Sequence, residues 1–164
     1  MYKIRIILDT QEDVIRTIMV NNSINLEGLH LFIAKSFGFN GQEMASFYRT
    51  DNEWNQGEEI PLFNMSEFGD SISMSTCVLK ETLPNINNKL IYVYDFFKMW
   101  SFYVEVIELN NELLTESKVI MSVGEIPDEA PEKEFIAEKN EDSFEDEFGD
   151  SNFESLDDID FDNY

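Results

Sequence analysis

Negative charge is concentrated at one end of this chain, and that asymmetry limits which residues can form a folded core. Residues 128–164 contain 16 acidic side chains and two lysines, so they carry −14 of the total net charge of −23. A segment of this composition repels itself and buries too little apolar surface to offset the loss of chain entropy. We therefore expect residues 1–127 to form one domain, and residues 128–164, the acidic tail, to be a disordered interaction segment.

Large apolar side chains interrupt the acidic residues of this tail. They are Phe144, Phe148, Phe153, Leu156, Ile159 and Phe161. One interpretation is that they dock on a partner groove with an apolar floor and a basic rim. The other is that the tail only increases solubility, although large apolar residues work against that task. Both interpretations stay open on the sequence, and the first makes a basic protein surface the expected partner.

Composition argues against several other classes of partner and site. A domain with net charge −9 joined to a tail with −14 shows no clustered basic face, so direct binding of nucleic acid is not expected. No segment approaches the roughly 18 apolar residues of a membrane span, and the single Cys77 excludes an intrachain disulfide. The tail carboxylates lack the ligand spacing of a calcium loop, so no metal or other cofactor is expected. These features predict a cytoplasmic protein.

Hydrophobic periodicity along residues 1–127 predicts six strands and one main helix. Asn25 is a helix cap, apolar residues then recur at spacings of three and four, and Gly38 ends the helix. Residues 51–59 are polar and predict an exposed loop, and residues 62–84 are irregular, with a helical turn near 78–83. The predicted strands are 2–8, 14–20, 44–50, 90–96, 100–109 and 118–123.

Three segments of the chain resemble landmarks of a known protein family. VIRTIMV at 14–20 is similar to a tryptophan-arginine-arginine strand, with Arg16 as the first arginine. LHLFIAKSFGF at 29–39 is similar to a leucine-histidine helix that ends in glycine-tryptophan. YVYDFFKMW at 92–100 resembles a tyrosine-aspartate-phenylalanine-glycine-aspartate-x-tryptophan hairpin. In this order, over residues 2–127, they are typical of Ri-plasmid ORF-three-like proteins, also described as TnpR-like passenger proteins of insertion elements.

The resemblance implies a fold but no established reaction. It implies an α+β domain in which a meandering, barrel-like sheet packs on one main helix, with strands and helix in the order β-β-α-β-β-β-β. Two histidines of the family pattern are replaced here by Glu43 and Phe102, and a glycine-aspartate pair is replaced by Phe97 and Lys98. Most groups that a reactive site would use are therefore missing.

Three polar residues of the family pattern remain: Arg16, His30 and Asp95. His30 is the only histidine and lies beside the apolar stripe of the helix, so packing at the edge of the core with one hydrogen-bonded nitrogen is the favoured interpretation. Asp95 lies between aromatic residues in a predicted strand, where a carboxylate faces water or meets a cation such as Arg16 or Arg5, and a structural pair is favoured.

The sequence therefore favours a non-enzymatic interaction or adaptor domain whose acidic tail binds a basic partner. The alternative is a small-molecule-binding domain or an enzyme with a site around Arg16, His30 and Asp95. Neither hypothesis predicts an oligomeric state.

Overall fold

A seven-stranded antiparallel sheet dominates the computed structural model, which describes residues 1–64, 72–128 and 130. All of these residues belong to one compact unit, Met1–Pro131. The elements in chain order are β1 (Tyr2–Leu8), β2 (Ile15–Val20), α1 (Leu26–Ser36), β3 (Ala45–Thr50), β4 (Gln56–Pro61), a 3-10 turn (Met74–Thr76), α2 (Leu79–Thr82), β5 (Lys89–Tyr94), β6 (Trp100–Leu109) and β7 (Lys118–Val123). The predicted docking residues of the tail lie outside the described residues: Phe144, Phe148, Phe153, Ile159 and Phe161.

The first hairpin follows from strict alternation in the sequence. In β1 every second residue from Tyr2 to Leu8 is buried, and the residues between them face the other side of the sheet. The backbone N–H of Leu8 donates to the Val14 carbonyl at 2.9 Å and closes the turn into β2. Ile6 pairs with Arg16 in this hairpin, so the register places Arg16 on the same face as the buried residues of β1.

Helix α1 has the start, stripe and stop that its sequence predicts. The Asn25 side chain accepts a hydrogen bond from the Gly28 N–H at 2.8 Å, and Gly38 follows the helix with φ of +92°. Its buried face contributes to the same core as the inward residues of the sheet, and each fully buried aliphatic side chain contributes roughly 2 kcal/mol. The buried residues of the helix are Leu26, Leu29, His30, Ile33 and Ala34.

The predicted sheet is wrong in three respects. Residues 56–59 of the segment predicted as an exposed loop belong to β4, so the described sheet has seven strands. The order β4-β3-β5-β6-β1-β2-β7 is not a simple meander, because β3 lies between β4 and β5 and β6 lies beside β1. The sheet is also not closed as a barrel, since β4 and β7 stand at opposite ends of it. An open sheet with two edge strands is therefore the frame that positions the candidate residues.

Candidate functional site

Arg16 is buried where the end of helix α1 meets the end of β7. Its Nε donates to the carbonyl of Ser36, the last residue of helix α1, at 2.9 Å. One terminal nitrogen lies within hydrogen-bonding distance of three further carbonyl oxygens, those of Ile15, Val123 and Gly124, at 2.9 to 3.1 Å. The guanidinium also lies 4.8 Å above the Phe37 ring. This one side chain therefore joins β2, α1 and the chain that leaves β7.

The surroundings of Arg16 suit a permanent cation. The last carbonyls of a helix have no partner within the helix and carry a partial negative charge, so a cation there stabilises the helix end. Burial lowers the Arg16 pKa, and the nearby Glu125 carboxylate raises it, but arginine stays charged under all ordinary conditions. Nε and one terminal nitrogen of Arg16 donate to backbone carbonyls, which gives the side chain a structural role.

His30 faces Tyr92 across the interface between helix and sheet. The ring Nδ1 lies 2.6 Å from the Tyr92 hydroxyl, while Nε2 is buried and has no hydrogen-bond partner among the described residues. Burial lowers the His30 pKa to about 4 and holds the Tyr92 pKa well above its ordinary value. At neutral pH both side chains are therefore uncharged. The side chain of His30 is fully within the core, with 1% of its residue surface exposed, rather than at the core's edge.

We expect His30 to make the fold less stable in mild acid. Its folded-state pKa of about 4 lies below the ordinary value of 6.5, so the unfolded chain takes up a proton first as the pH falls. The stabilisation is complete above about pH 6.5 and is lost as the pH falls toward 4. One pKa unit corresponds to about 1.4 kcal/mol, so the free energy of unfolding should fall by on the order of 3 kcal/mol over that range. Urea titrations at several pH values measure this loss.

Two variants separate titration of His30 from packing. His30→Leu cannot take up a proton, so this part of the pH dependence should disappear, leaving only the slope from carboxylates. His30→Ala should lower the melting temperature at pH 7 because it also leaves a cavity beside Tyr92. An unchanged pH slope in His30→Leu would contradict the assignment. An activity abolished by His30→Ala at an unchanged melting temperature would favour an enzymatic role.

Asp95 does not form the predicted pair with a cation. It begins the turn between β5 and β6 with φ of +66°, and its Oδ1 accepts from the backbone N–H groups of Phe97 and Lys98 at 3.1 and 3.3 Å. The prediction that it meets Arg16 or Arg5 is wrong, because backbone donors of the turn satisfy the carboxylate instead. The ion pairs between described residues are Lys3–Glu108, Arg49–Glu58 and Lys89–Glu105.

The structure thus gives each candidate polar residue its own separate setting. Arg16 binds backbone carbonyls, His30 binds Tyr92, and Asp95 holds a turn, and no hydrogen bond or ion pair found in the described part of the chain joins any two of them. Residues 1–64, 72–128 and 130 contain no group of three or more histidine, cysteine or carboxylate side chains placed to hold a metal. Each of the three candidate residues therefore has a separate structural contact in the described part of the chain.

Sequence reasoning missed an apolar hairpin tip beside Asp95. Phe97 is 93% exposed, and its neighbours Phe96 and Met99 are also exposed. The family pattern has a glycine where Phe97 stands, and that departure was the available signal. Behind the tip, the Tyr94 hydroxyl accepts from the Gly41 N–H at 3.1 Å and so ties β5 to the loop after α1.

Comparison with known proteins gives a family and a fold. A family model described as plasmid pRiA4b ORF-3-like protein matches residues 1–150. The crystal structure of a protein of unknown function, MM3350 from Methanosarcina mazei Go1, is similar with a TM-score of 0.58 and 17% identity, over 74% of this chain and 67% of that chain. At this identity the likeness concerns the fold alone. No curated protein matches the sequence. No helix in the described part of the chain is long and apolar enough to span a membrane.

Proposed function

Because this chain belongs to the plasmid pRiA4b ORF-3-like family, we propose that it is a non-enzymatic, cytoplasmic interaction module of a plasmid or insertion element. In this proposal the folded domain presents the acidic tail, and the tail binds a basic surface on a partner protein. The observation that carries the proposal is the net charge of −14 on the 37 residues from 128 to 164, with phenylalanines between the carboxylates. Charge of one sign attracts and orients a partner of the other sign.

The settings of the polar residues add support to this proposal. A general acid or base works best when its pKa lies near the working pH. The pKa of His30 is far below that range, and its ring is enclosed by the core. Arg16 is also buried and binds backbone carbonyls through Nε and one terminal nitrogen, so a substrate would reach either side chain only after rearrangement.

One observation favours the alternative, a small-molecule site around Arg16, His30 and Asp95. His30 Nε2 is a buried polar atom without a partner among the described residues, and such atoms are uncommon in folded proteins. Among the described residues no hydrogen bond or ion pair joins the three side chains, which weighs against this alternative. The His30 variants above test it directly.

The tail should contribute both charge and apolar contacts to partner binding. A partner captured from lysate with the intact chain provides the ligand for titration. Affinity should fall as salt rises, because the screening length shrinks from about 10 Å at 0.1 M to about 3 Å at 1 M. Replacing Phe148, Phe153 and Phe161 by serine, with every carboxylate kept, should weaken binding even at low salt.

The matched control keeps the phenylalanines and replaces the tail carboxylates by the corresponding amides. That variant should lose the salt dependence while it retains a weaker, apolar component of binding. Equal affinity of the intact and serine-substituted chains would reduce the tail to an electrostatic role. Equal affinity of the amide variant would show that the tail carboxylates do not contribute to binding, and equal affinity of a chain that lacks residues 128–164 would remove the tail from partner binding.

A further inference from the structure

Strand β7 leaves one edge of the sheet open among the described residues. It is the last strand in the order and pairs there only with β2. Alternate backbone N–H and C=O groups of an edge strand point away from the sheet, where another extended chain can bind them. The open edge of β7 spans Lys118–Val123, a usual length for a recognised strand.

The two edge strands of this sheet differ in how they are protected. β4, at the opposite end, carries Glu58 and Glu59 and ends at Pro61, and charges and proline hinder pairing with another chain. β7 carries none of these protections after Lys118. Its large apolar side chains are instead 39 to 48% exposed: Val119, Ile120, Met121 and Val123. An unprotected apolar edge is characteristic of a strand that pairs with a partner.

Both faces of β7 offer apolar contacts to an added strand. Met121 and Val123 pair with Thr17 and Ile15, so they lie on the outer face of the sheet. Val119 pairs with Ile18 and therefore lies on the side of the core. Side chains of an added strand also alternate between the two faces, so apolar residues on either face of that strand find neighbours.

The charges around β7 favour a basic occupant. Glu116 precedes the strand, Glu125 and Asp128 follow it, and the acidic tail begins within five residues of its end. A second copy of the chain would bring the same acidic groups and a further net charge of −23 to this edge. Charge therefore favours a lysine- or arginine-rich segment over self-pairing.

We propose that an extended basic segment of the partner protein adds to the sheet along the open edge of β7. This inference rests on the proposed function and identifies where the basic partner binds the folded domain. Backbone hydrogen bonds along β7 supply the affinity. Apolar side chains of the segment, such as valine, contact Val119 and Met121, and its basic side chains meet Glu116 and Glu125. The mode is strand addition to an exposed sheet edge.

A pair of synthetic peptides tests the inference on the full-length chain. One alternates lysine with valine, and the other alternates lysine with proline, so the two carry equal charge and only the first has the valine N–H groups needed for pairing. The lysine-valine peptide should bind about tenfold more tightly in fluorescence polarisation. In amide hydrogen exchange it should also slow the β7 amides that face away from β2.

Substitution on the edge provides the second test. Met121→Lys should weaken the lysine-valine peptide about tenfold, because it places a like charge on the pairing strand. Leu113→Lys is the matched control, since Leu113 is 84% exposed outside any strand and the charge change is identical. It should have little effect. If Met121→Lys fails to fold, hydrogen exchange on the unaltered chain still decides the question.

The outcomes separate this inference from the proposed function. Salt-sensitive, equal binding of both peptides without protection of β7 would overturn edge pairing and leave the tail's role intact. Protection of β7 with equal affinity for the tail-amide variant would support edge pairing and show that the tail carboxylates do not contribute to binding. Slow exchange of the outward β7 amides before any peptide is added would overturn the inference, because the edge would already be occupied. Self-association that Met121→Lys abolishes would overturn it in favour of a second copy.

Discussion

Replacing Arg16 by methionine should lower the free energy of unfolding by about 3 to 5 kcal/mol, because hydrogen bonds to a charged donor are strong and the acceptors left behind are costly. Methionine keeps most of the apolar stem but removes every donor. The carbonyls of Ser36, Val123 and Gly124 would then lack the partner that joins them. Chemical denaturation measured at pH 7 gives the loss directly.

Two further variants show whether the loss of stability in Arg16→Met comes from the lost hydrogen-bonding geometry of the guanidinium or from its lost charge. Arg16→Lys keeps the charge but offers one compact ammonium group in place of a planar fork, so it should recover only a small part of the loss. Arg49→Met is the matched control, because Arg49 pairs with Glu58 at 3.1 Å on the surface with 41% of its side chain exposed. That loss should stay below about 1 kcal/mol.

A small loss in Arg16→Met would change the interpretation of the site. If Arg16→Met and Arg49→Met unfold at the same denaturant concentration, the backbone contacts of Arg16 contribute little stability. Arg16 would then be free to serve the alternative ligand-binding role, and the polar residues of the family pattern would need a functional explanation. The prediction therefore tests both the fold and the function.

The elements that the sequence predicts well are those with a local signal. β1 is confirmed over Tyr2–Leu8 and β7 over Lys118–Val123, because alternation and β-branched residues act within each strand. Helix α1 is confirmed with its cap at Asn25 because cap, stripe and stop all lie within 14 residues, from Asn25 to Gly38. Each of these signals depends only on neighbours along the chain.

β4 and the strand order have no comparable local signal. Four of the six residues of β4, from Gln56 to Glu59, are exposed, so the strand shows no buried alternation. β4 forms because it pairs with β3, and a strand at the edge of a sheet needs only one neighbouring strand. Sheet order depends equally on pairing between distant segments, such as β1 with β6. A resemblance at the family level implied a barrel-like meander, and the open sheet corrects it.

In the candidate site, too, the partners that come from distant segments of the chain are not predictable from the sequence. The prediction that one nitrogen of His30 is hydrogen-bonded is confirmed by its contact with Tyr92, whereas the predicted place at the edge of the core is wrong. The partners of Arg16 lie 20 and 107 residues away along the chain, at Ser36 and Val123, and no local pattern indicates them. The aromatic neighbours of Asp95 predict a strand at this residue, whereas β5 ends at Tyr94 and the turn begins at Asp95.

Gly124→Ala should produce the other large loss, about 3 kcal/mol from the left-handed backbone and the close contact together. Gly124 has φ of +72°, where a side chain is disfavoured. An added Cβ would overlap the Asp13 carbonyl oxygen and lie 3.1 Å from the Asp13 carbonyl carbon and 3.2 Å from Val14 Cα. Thermal and urea unfolding at pH 7 measure the change.

Gly38→Ala is the matched control for the contact. Gly38 also has a positive φ, +92°, but a Cβ there would meet nothing within 4 Å. The free energy of unfolding should fall by only about 1 kcal/mol in Gly38→Ala, because only the left-handed backbone conformation disfavours the side chain. Equal losses in the two variants would show that the chain after β7 yields to the added methyl group, and that the close approach to Asp13 adds no constraint.

Combining Gly124→Ala with Arg16→Met tests whether both residues hold the same junction. The Gly124 carbonyl accepts a hydrogen bond from Arg16, so a displacement of Gly124 also weakens that bond. The double variant should lose less stability than the sum of the single variants, by about 1 kcal/mol or more. Strict additivity would contradict a shared junction. Coupling would show that the buried arginine and the glycine together fix where β7 ends.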